Sequence, residues 1–403
     1  MIKKISAFLV AVTLAVGSFT ACSKNDNSSS SKADSNASST SSAADSTDDQ
    51  NQTKIKEPSL TIDGKKVDTK DLIMCTVDGR DIDFDTFRYY YYYTMNNYGI
   101  TAEAISEVDG QFETLLGEVV KNIKYEFVAQ DLAKENNITL DDEDKKDIDS
   151  QFKKAQSTYE SEDDYKKALK QNYLTEDVYK KLLEYTAVYQ KVESQLFKNE
   201  GKYATSKEDF KKIVQDTDKY SRVIHILIPY ECQTEITENA DSYESASLSD
   251  KLTAKKTAFS KLSEDDQKKE KEKAKKLAEE VLAKAKNGDD FESLMKEYGW
   301  DPGMETNPDG YYINKDTSFV QEFKDAAFKL KENEISDLVE NSSYGWFIIK
   351  RLPVDMDYVN KNIDTMISEY DKPAISKLYE DKTSKMEVTY SDIYKKLKYD
   401  SIE

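Results

Sequence analysis

Arg222-Val223-Ile224-His225-Ile226-Leu227-Ile228-Pro229 interrupts a chain that is otherwise written for helices. Its β-branched residues suit a pleated strand, and a proline, which cannot donate to a ladder, ends it. Upstream, residues 84–218 read as almost entirely helical. Leu115, Leu116, Val119, Val120, Ile123, Phe127, Val128 and Leu132 recur at three- and four-residue steps. Thr175 and Ser206 stand where helix N-caps are needed. Downstream, residues 231–264 are polar and irregular, an exposed insertion with an amphipathic patch at 252–262 that is a candidate helix. An amphipathic helix over 264–286 follows, stopped by Asn287-Gly288. Helices first and a short-stranded sheet later make the fold class α+β.

The first ordered strand is expected at 72–77, turning at Asp78-Gly79, with Asp83 or Asp85 capping the next helix. That helix carries Tyr89-Tyr90-Tyr91-Tyr92-Tyr93. Five consecutive tyrosines cover every side of a helix, so one core cannot take them all. Either some are exposed or line a cleft, where an apolar ring with a polar tip suits adhesion to unfolded chains, or the helix is sandwiched between others.

Composition excludes several classes. The 403 residues carry 58 Lys+Arg against 78 Asp+Glu, a net charge of −20, which opposes binding to nucleic acid and adsorption to anionic lipid. Twelve glycines and six prolines are too few for a collagen-like chain and disfavour a glycine-punctuated nucleotide site. With His225 as the single histidine, a His-rich metal centre and a Ser-His-Asp hydrolase are both disfavoured. No metal site and no cofactor is indicated.

The chain opens as a targeting segment. Lys3 and Lys4 precede an apolar run from Ile5 to Val16, too short for a comfortable membrane span. Ala21-Cys22 resembles the end of a lipoprotein signal, although Phe19 stands where leucine is usual. Residues 1–21 are then the signal peptide and Cys22 the lipidation site, holding the protein on the extracytoplasmic face of the cell membrane. Residues 22–70 form a Ser/Asp-rich tether without enough apolar surface to order. Cys75 and Cys232 remain, and whether they pair is open; Cys75 sits in the apolar run Leu72-Ile73-Met74-Cys75 and reads as a small buried hydrophobe.

From 219 to 353 the chain resembles a parvulin-type (PpiC-like) peptidyl-prolyl isomerase domain. Four pieces carry the likeness in order: Val223-Ile224-His225-Ile226-Leu227; Lys286-Asn287-Gly288-Asp289-Asp290-Phe291; Phe319-Val320-Gln321-Glu322-Phe323 running to Leu330, followed by Asn333 to Val339; and Tyr344-Gly345-Trp346-Phe347-Ile348-Ile349-Lys350. The layout as a whole is similar to PrsA-type foldase lipoproteins, with SurA-type chaperones as a second relative. The resemblance implies a mostly helical chaperone domain built from N- and C-terminal segments (71–218 and 354–403), with the isomerase domain, a small antiparallel sheet surrounded by helices, inserted at 219–353. The C-terminal segment, amphipathic at 356–370 and 375–397, is expected to pack on the N-terminal helices.

The same resemblance implies the site. His225 takes the first of two histidines, Asp301 the Cys/Asp position, and Phe323 the pocket phenylalanine. Phe319 stands where a methionine is usual and Phe347 where the second histidine is usual, so His225 needs a new partner, for which Tyr311 or Tyr312 is available. Read from residues alone, His225 is either a site residue or a satisfied core histidine, Asp301 a site residue or a turn cap, and Phe319 and Phe323, four apart on a helix, pocket or plain core. The implied function is a membrane-anchored foldase acting on newly secreted or unfolded polypeptides with X-Pro bonds. The alternatives are a parvulin-fold chaperone that binds without catalysis and a solute-binding lipoprotein.

Overall fold

The computed structural model describes residues 57–101, 110–198, 200–236 and 243–403. The signal segment, Cys22 and most of the expected tether lie outside the described residues. Two compact units divide the chain, one comprising residues 1–203 and 374–403, the other residues 204–373.

The first unit is helical with small sheets at its margin. Strands β1 (Leu60–Ile62) and β2 (Lys65–Val67) form a hairpin inside the stretch expected to be tether. Asp63 and Gly64, at φ 50° and 74°, make its turn. Leu60 is fully buried and bridges to Ile402, so a few apolar residues order this segment through a partner far along the chain. Strands β3 (Ile73–Val77) and β4 (Arg80–Asp83) turn at Asp78-Gly79, at φ 50° and 76°. The last strand of the chain, over Val388–Tyr390, adds to the free edge of β3, pairing Cys75 with Tyr390.

Helix α1 (Phe84–Tyr98) is capped by Asp83, which accepts from the Thr86 N–H, and ends at Gly99 in the left-handed conformation. The tyrosine run is sandwiched. Tyr89, Tyr90 and Tyr91 are buried, and Tyr92 and Tyr93 half-buried; none is exposed. Tyr92 stacks on Tyr173 with centroids 3.7 Å apart and donates to the Ile402 carbonyl at 3.0 Å. Helix α2 (Gln111–Glu135) buries the apolar stripe from Leu115 to Leu132. Helices α3 (Asp142–Ser157), α4 (Glu162–Gln171) and α5 (Glu176–Val192) follow, capped by Asp141, Ser161 and Thr175.

The second unit is built on β5 (Ser221–Ile228). Helix α6 (Lys207–Gln215) precedes it. The expected insertion contains helix α7 (Leu248–Ser260), capped by Ser247, which takes in most of the patch at 252–262, the part of the insertion open to a helical reading; none of its residues is buried. Helices α8 (Glu264–Lys286), α9 (Phe291–Tyr298) and α10 (Pro302–Thr306) lead to β6 (Tyr311–Ile313). Helix α11 (Gln321–Lys329), β7 (Val339–Asn341) and β8 (Gly345–Leu352) complete an antiparallel sheet of order β6-β5-β8-β7.

Strand alternation sorts this sheet into two faces. Ile224, Ile226, Ile228, Trp346 and Ile348 pack with Ala274, Ala278 and Val281 of α8 and with Phe291 and Leu294 of α9. Val223, Leu227, Phe347 and Ile349 face the other way, onto Phe323 and Ala327 of α11. Arg351 is buried, and its guanidinium donates to the carbonyls of Leu330, Thr217 and Tyr220 at 2.8–2.9 Å, which satisfies an otherwise costly buried charge.

The final helix, α12 (Met356–Thr383), is one element with Pro373 inside it, not two amphipathic segments. Val359, Ile363 and Ile367 pack against Phe210 and Val214 of α6 and against Tyr220. Thr205 donates from its N–H and hydroxyl to Asp371 at 2.7 and 2.5 Å. Residues 354–373 thus belong to the second unit, and the part of the C-terminal segment counted with the N-terminal helices begins at Ala374. Cys75 and Cys232 are both free and buried, and burial pushes their thiols up to about 12 and about 11.

Candidate active site

The face of the sheet that carries Val223 and Leu227 also carries His225, by the period of two along β5. Its side chain is 3 % exposed. The loop after α9 is tied to the same strand, because the Trp300 N–H donates to the Leu227 carbonyl at 2.9 Å. The next residue, Asp301, therefore arrives beside the imidazole, with Oδ2 3.1 Å from Nε2 of His225. Asp301 is also the N-cap of α10, accepting the Gly303 N–H on Oδ1 at 2.9 Å, with Pro302 at the first helical position. The turn-cap reading of this residue is thus met, and the same carboxylate also faces the histidine.

Aromatic rings close the rest of the environment. Phe323 and Phe347 meet His225 edge-on at centroid distances of 5.1 and 5.6 Å. Tyr311 lies nearly parallel to the imidazole at 5.8 Å. Phe319 is not on the helix with Phe323; it lies before α11, whose N-cap is Val320. The two rings nonetheless stack at 5.2 Å, and Phe319 reaches Tyr311 at 5.1 Å. His225, Asp301, Phe319, Phe323 and Phe347 are thus brought together.

The partner expected for His225 is placed differently. The Tyr311 hydroxyl donates to Oδ2 of Asp301 at 3.0 Å rather than to the imidazole, and Tyr312 donates to the Asp355 carbonyl. With Phe347 beside it, the buried Nδ1 of His225 has no hydrogen-bond partner among the described residues. Burial pushes the Asp301 carboxyl up. The hydrogen bond and charge of His225, the Gly303 N–H and the Tyr311 hydroxyl outweigh that and hold it below its usual value. Burial and the adjacent carboxylate push the Tyr311 phenol up, so it stays protonated and donates.

Two residues escaped the sequence reading. Gly303 carries no motif of its own, and Tyr344, expected in the closing strand, is exposed in the turn between β7 and β8 with its ring 6.2 Å from Phe347. Chemically the site offers a carboxylate held by three donors, an imidazole and an apolar aromatic wall. It holds no cluster able to take a metal ion among the described residues.

Residues 261–353 match the family model described as the PPIC-type PPIASE domain. The foldase protein PrsA of Geobacillus kaustophilus is 45 % identical over 75 residues, which is 19 % of this chain and 26 % of that protein. The foldase protein PrsA of Staphylococcus aureus is 32 % identical over 255 residues, 62 % of this chain and 63 % of that protein. The chain spans about a quarter of the length of the first curated relatives it matches, 26 % in the Geobacillus case. Among solved structures, the peptidylprolyl isomerase PrsA of Bacillus anthracis aligns with 65 % of this chain and 96 % of its own at 24 % identity, with a TM-score of 0.31.

Proposed function

We propose that this protein is an extracytoplasmic foldase, lipid-anchored through Cys22, that binds unfolded or newly secreted polypeptides and isomerises their X-Pro bonds at His225 and Asp301. The observation that carries the reading is the His225–Asp301 pair, 3.1 Å apart, set among Phe319, Phe323 and Phe347; Asp301 and the three phenylalanines fall within residues 261–353, which match the PPIC-type model, and His225 stands on the strand before them.

The chemistry asks for little else. The barrier to rotation about a peptide bond, about 18–20 kcal/mol, comes from amide resonance. A site lowers it by favouring the twisted, non-conjugated amide over the planar one. The Phe319, Phe323 and Phe347 rings supply an apolar seat for a proline ring. Asp301 and His225 supply a fixed charge and a polar edge in a water-poor setting, where electrostatic differences between planar and twisted amides are larger than in water. Proline isomerisation is slow enough to limit folding, which gives a foldase a step to speed.

A second reading is supported by the unpartnered Nδ1 of His225: the domain recognises proline-containing chains and no longer turns them. The test is the refolding of a reduced, proline-limited client protein in the presence of the full chain. The isomerase reading expects its slow phase to accelerate at substoichiometric protein and to return to the spontaneous rate with His225→Ala. Suppressed aggregation with an unchanged slow phase establishes the binding-only reading, and neither effect overturns both. Incorporation of labelled lipid, lost in Cys22→Ala, tests the anchor.

A further inference from the structure

Packing accounts for the ring of Tyr311, but not for its hydroxyl. Phenylalanine would pack equally well against His225 at 5.8 Å and against Phe319 at 5.1 Å. We propose that Tyr311 is a positioning residue whose hydroxyl pins the Asp301 carboxylate against His225, through a gap that only glycine at position 303 leaves open. The inference rests on the reading of His225 and Asp301 as the site.

The backbone fixes where the ring starts. β6 pairs with β5 in the register Val223 opposite Tyr311, two residues from His225. From there the hydroxyl reaches Oδ2 of Asp301 at 3.0 Å, the same oxygen that His225 Nε2 approaches at 3.1 Å. Oδ1 is taken by the Gly303 N–H at 2.9 Å. Three donors on two oxygens leave the carboxylate no freedom to rotate or to swing toward solvent without breaking a charge-assisted bond.

Gly303 shows that this approach is built. Its backbone is not in the left-handed region, so conformation does not demand glycine there. A Cβ at that position would lie 1.8 Å from the Tyr311 hydroxyl oxygen. Any other residue would push the phenol away from Asp301.

The arrangement matters more here because of Phe347. Nδ1 of His225 is unpartnered among the described residues, so Asp301, 3.1 Å from Nε2, is the polar group that faces the imidazole. The imidazole is oriented by Asp301, and Asp301 is oriented by Tyr311.

His225 is the single histidine of the chain, so its imidazole nitrogens can be followed without assignment ambiguity in the full protein labelled with 15N-histidine. The experiment compares wild type, Tyr311→Phe and Gly303→Ala by those resonances, by backbone amide spectra and by exchange rates of an X-Pro peptide. The expected result is a moved Nε2–H resonance in both variants, an unchanged amide spectrum away from the site, and kcat/KM lowered on the order of tenfold, chiefly in kcat. Imidazole resonances that stay at their wild-type positions in Tyr311→Phe overturn the proposal, whatever the rate does. If the wild type isomerises nothing, the isomerase reading falls and the imidazole resonance still decides: movement upholds the pinning, and none refutes it.

Discussion

Glu126 sits in the middle of α2 with 6 % exposure, and replacing it with glutamine is expected to stabilise the helical unit. The groups that interact with it are phenols: Tyr89, Tyr90 and Tyr93 of α1, Tyr185 and Tyr189 of α5, and Tyr379 of α12. Burial without a compensating cation pushes its carboxyl from 4.5 up to about 7. The sign follows from linkage. The folded state holds this proton more tightly than the unfolded state, so the group contributes nothing below about pH 4.5, costs stability progressively between 4.5 and 7, and costs its full amount above. At 1.36 kcal/mol per pH unit, that full amount is about 3 kcal/mol. Glu126→Gln keeps the shape and removes the charge. At pH 8 it should raise the melting temperature of this unit by roughly 6–12 °C, at about 2–4 °C per kcal/mol for a domain of this size class. Near pH 4 the variant and wild type should coincide. Calorimetry at the two pH values is the assay, because two units melting separately would blur a single optical transition. An equal or lower melting temperature for the variant at pH 8, or a difference that does not depend on pH, would refute the reasoning.

Arg351→Met should destabilise the second unit by about 2–3 kcal/mol, because it leaves the carbonyls of Leu330, Thr217 and Tyr220 without their donor; urea unfolding followed by the fluorescence of Trp300 and Trp346 measures it. Gly345→Ala should cost more than about 1 kcal/mol in the same assay, since φ is 111° and a Cβ would lie 2.4 Å from the Ile228 carbonyl oxygen. Asp301→Asn should lower stability at pH 7, where the carboxylate's contribution is fully present. The deficit should shrink as pH falls below 3.8 through the lowered folded value, which urea midpoints at pH 7 and pH 3 would compare.

Local chemistry made much of the fold legible. The Asp78-Gly79 hairpin, the caps at Asp83, Thr175 and Ser206, and the strand at 221–228 depend on residues within a turn or two of each other. What escaped depends on distant partners. The β1–β2 hairpin has three-residue strands, too short for a periodic signal, and is ordered through Ile402. The strand at 388–390 was hidden in a segment read as helix because its pairing with β3 spans most of the chain. The tyrosine run could not reveal which of its two fates held, since Tyr173 and Ile402 are what cover Tyr92. At the site, it was the resemblance to the parvulin family that singled out His225, Asp301 and three phenylalanines, which lie close together in the structure. The direction of the Tyr311 hydrogen bond was not legible, because it depends on the space left at Gly303.

The most direct test of the account is NMR exchange spectroscopy of an X-Pro peptide panel with the full chain and with Asp301→Ala. Cis–trans exchange accelerated at substoichiometric wild-type protein and lost in the variant is the predicted result. Peptide resonances that shift on binding while the exchange rate stays at its spontaneous value would contradict it.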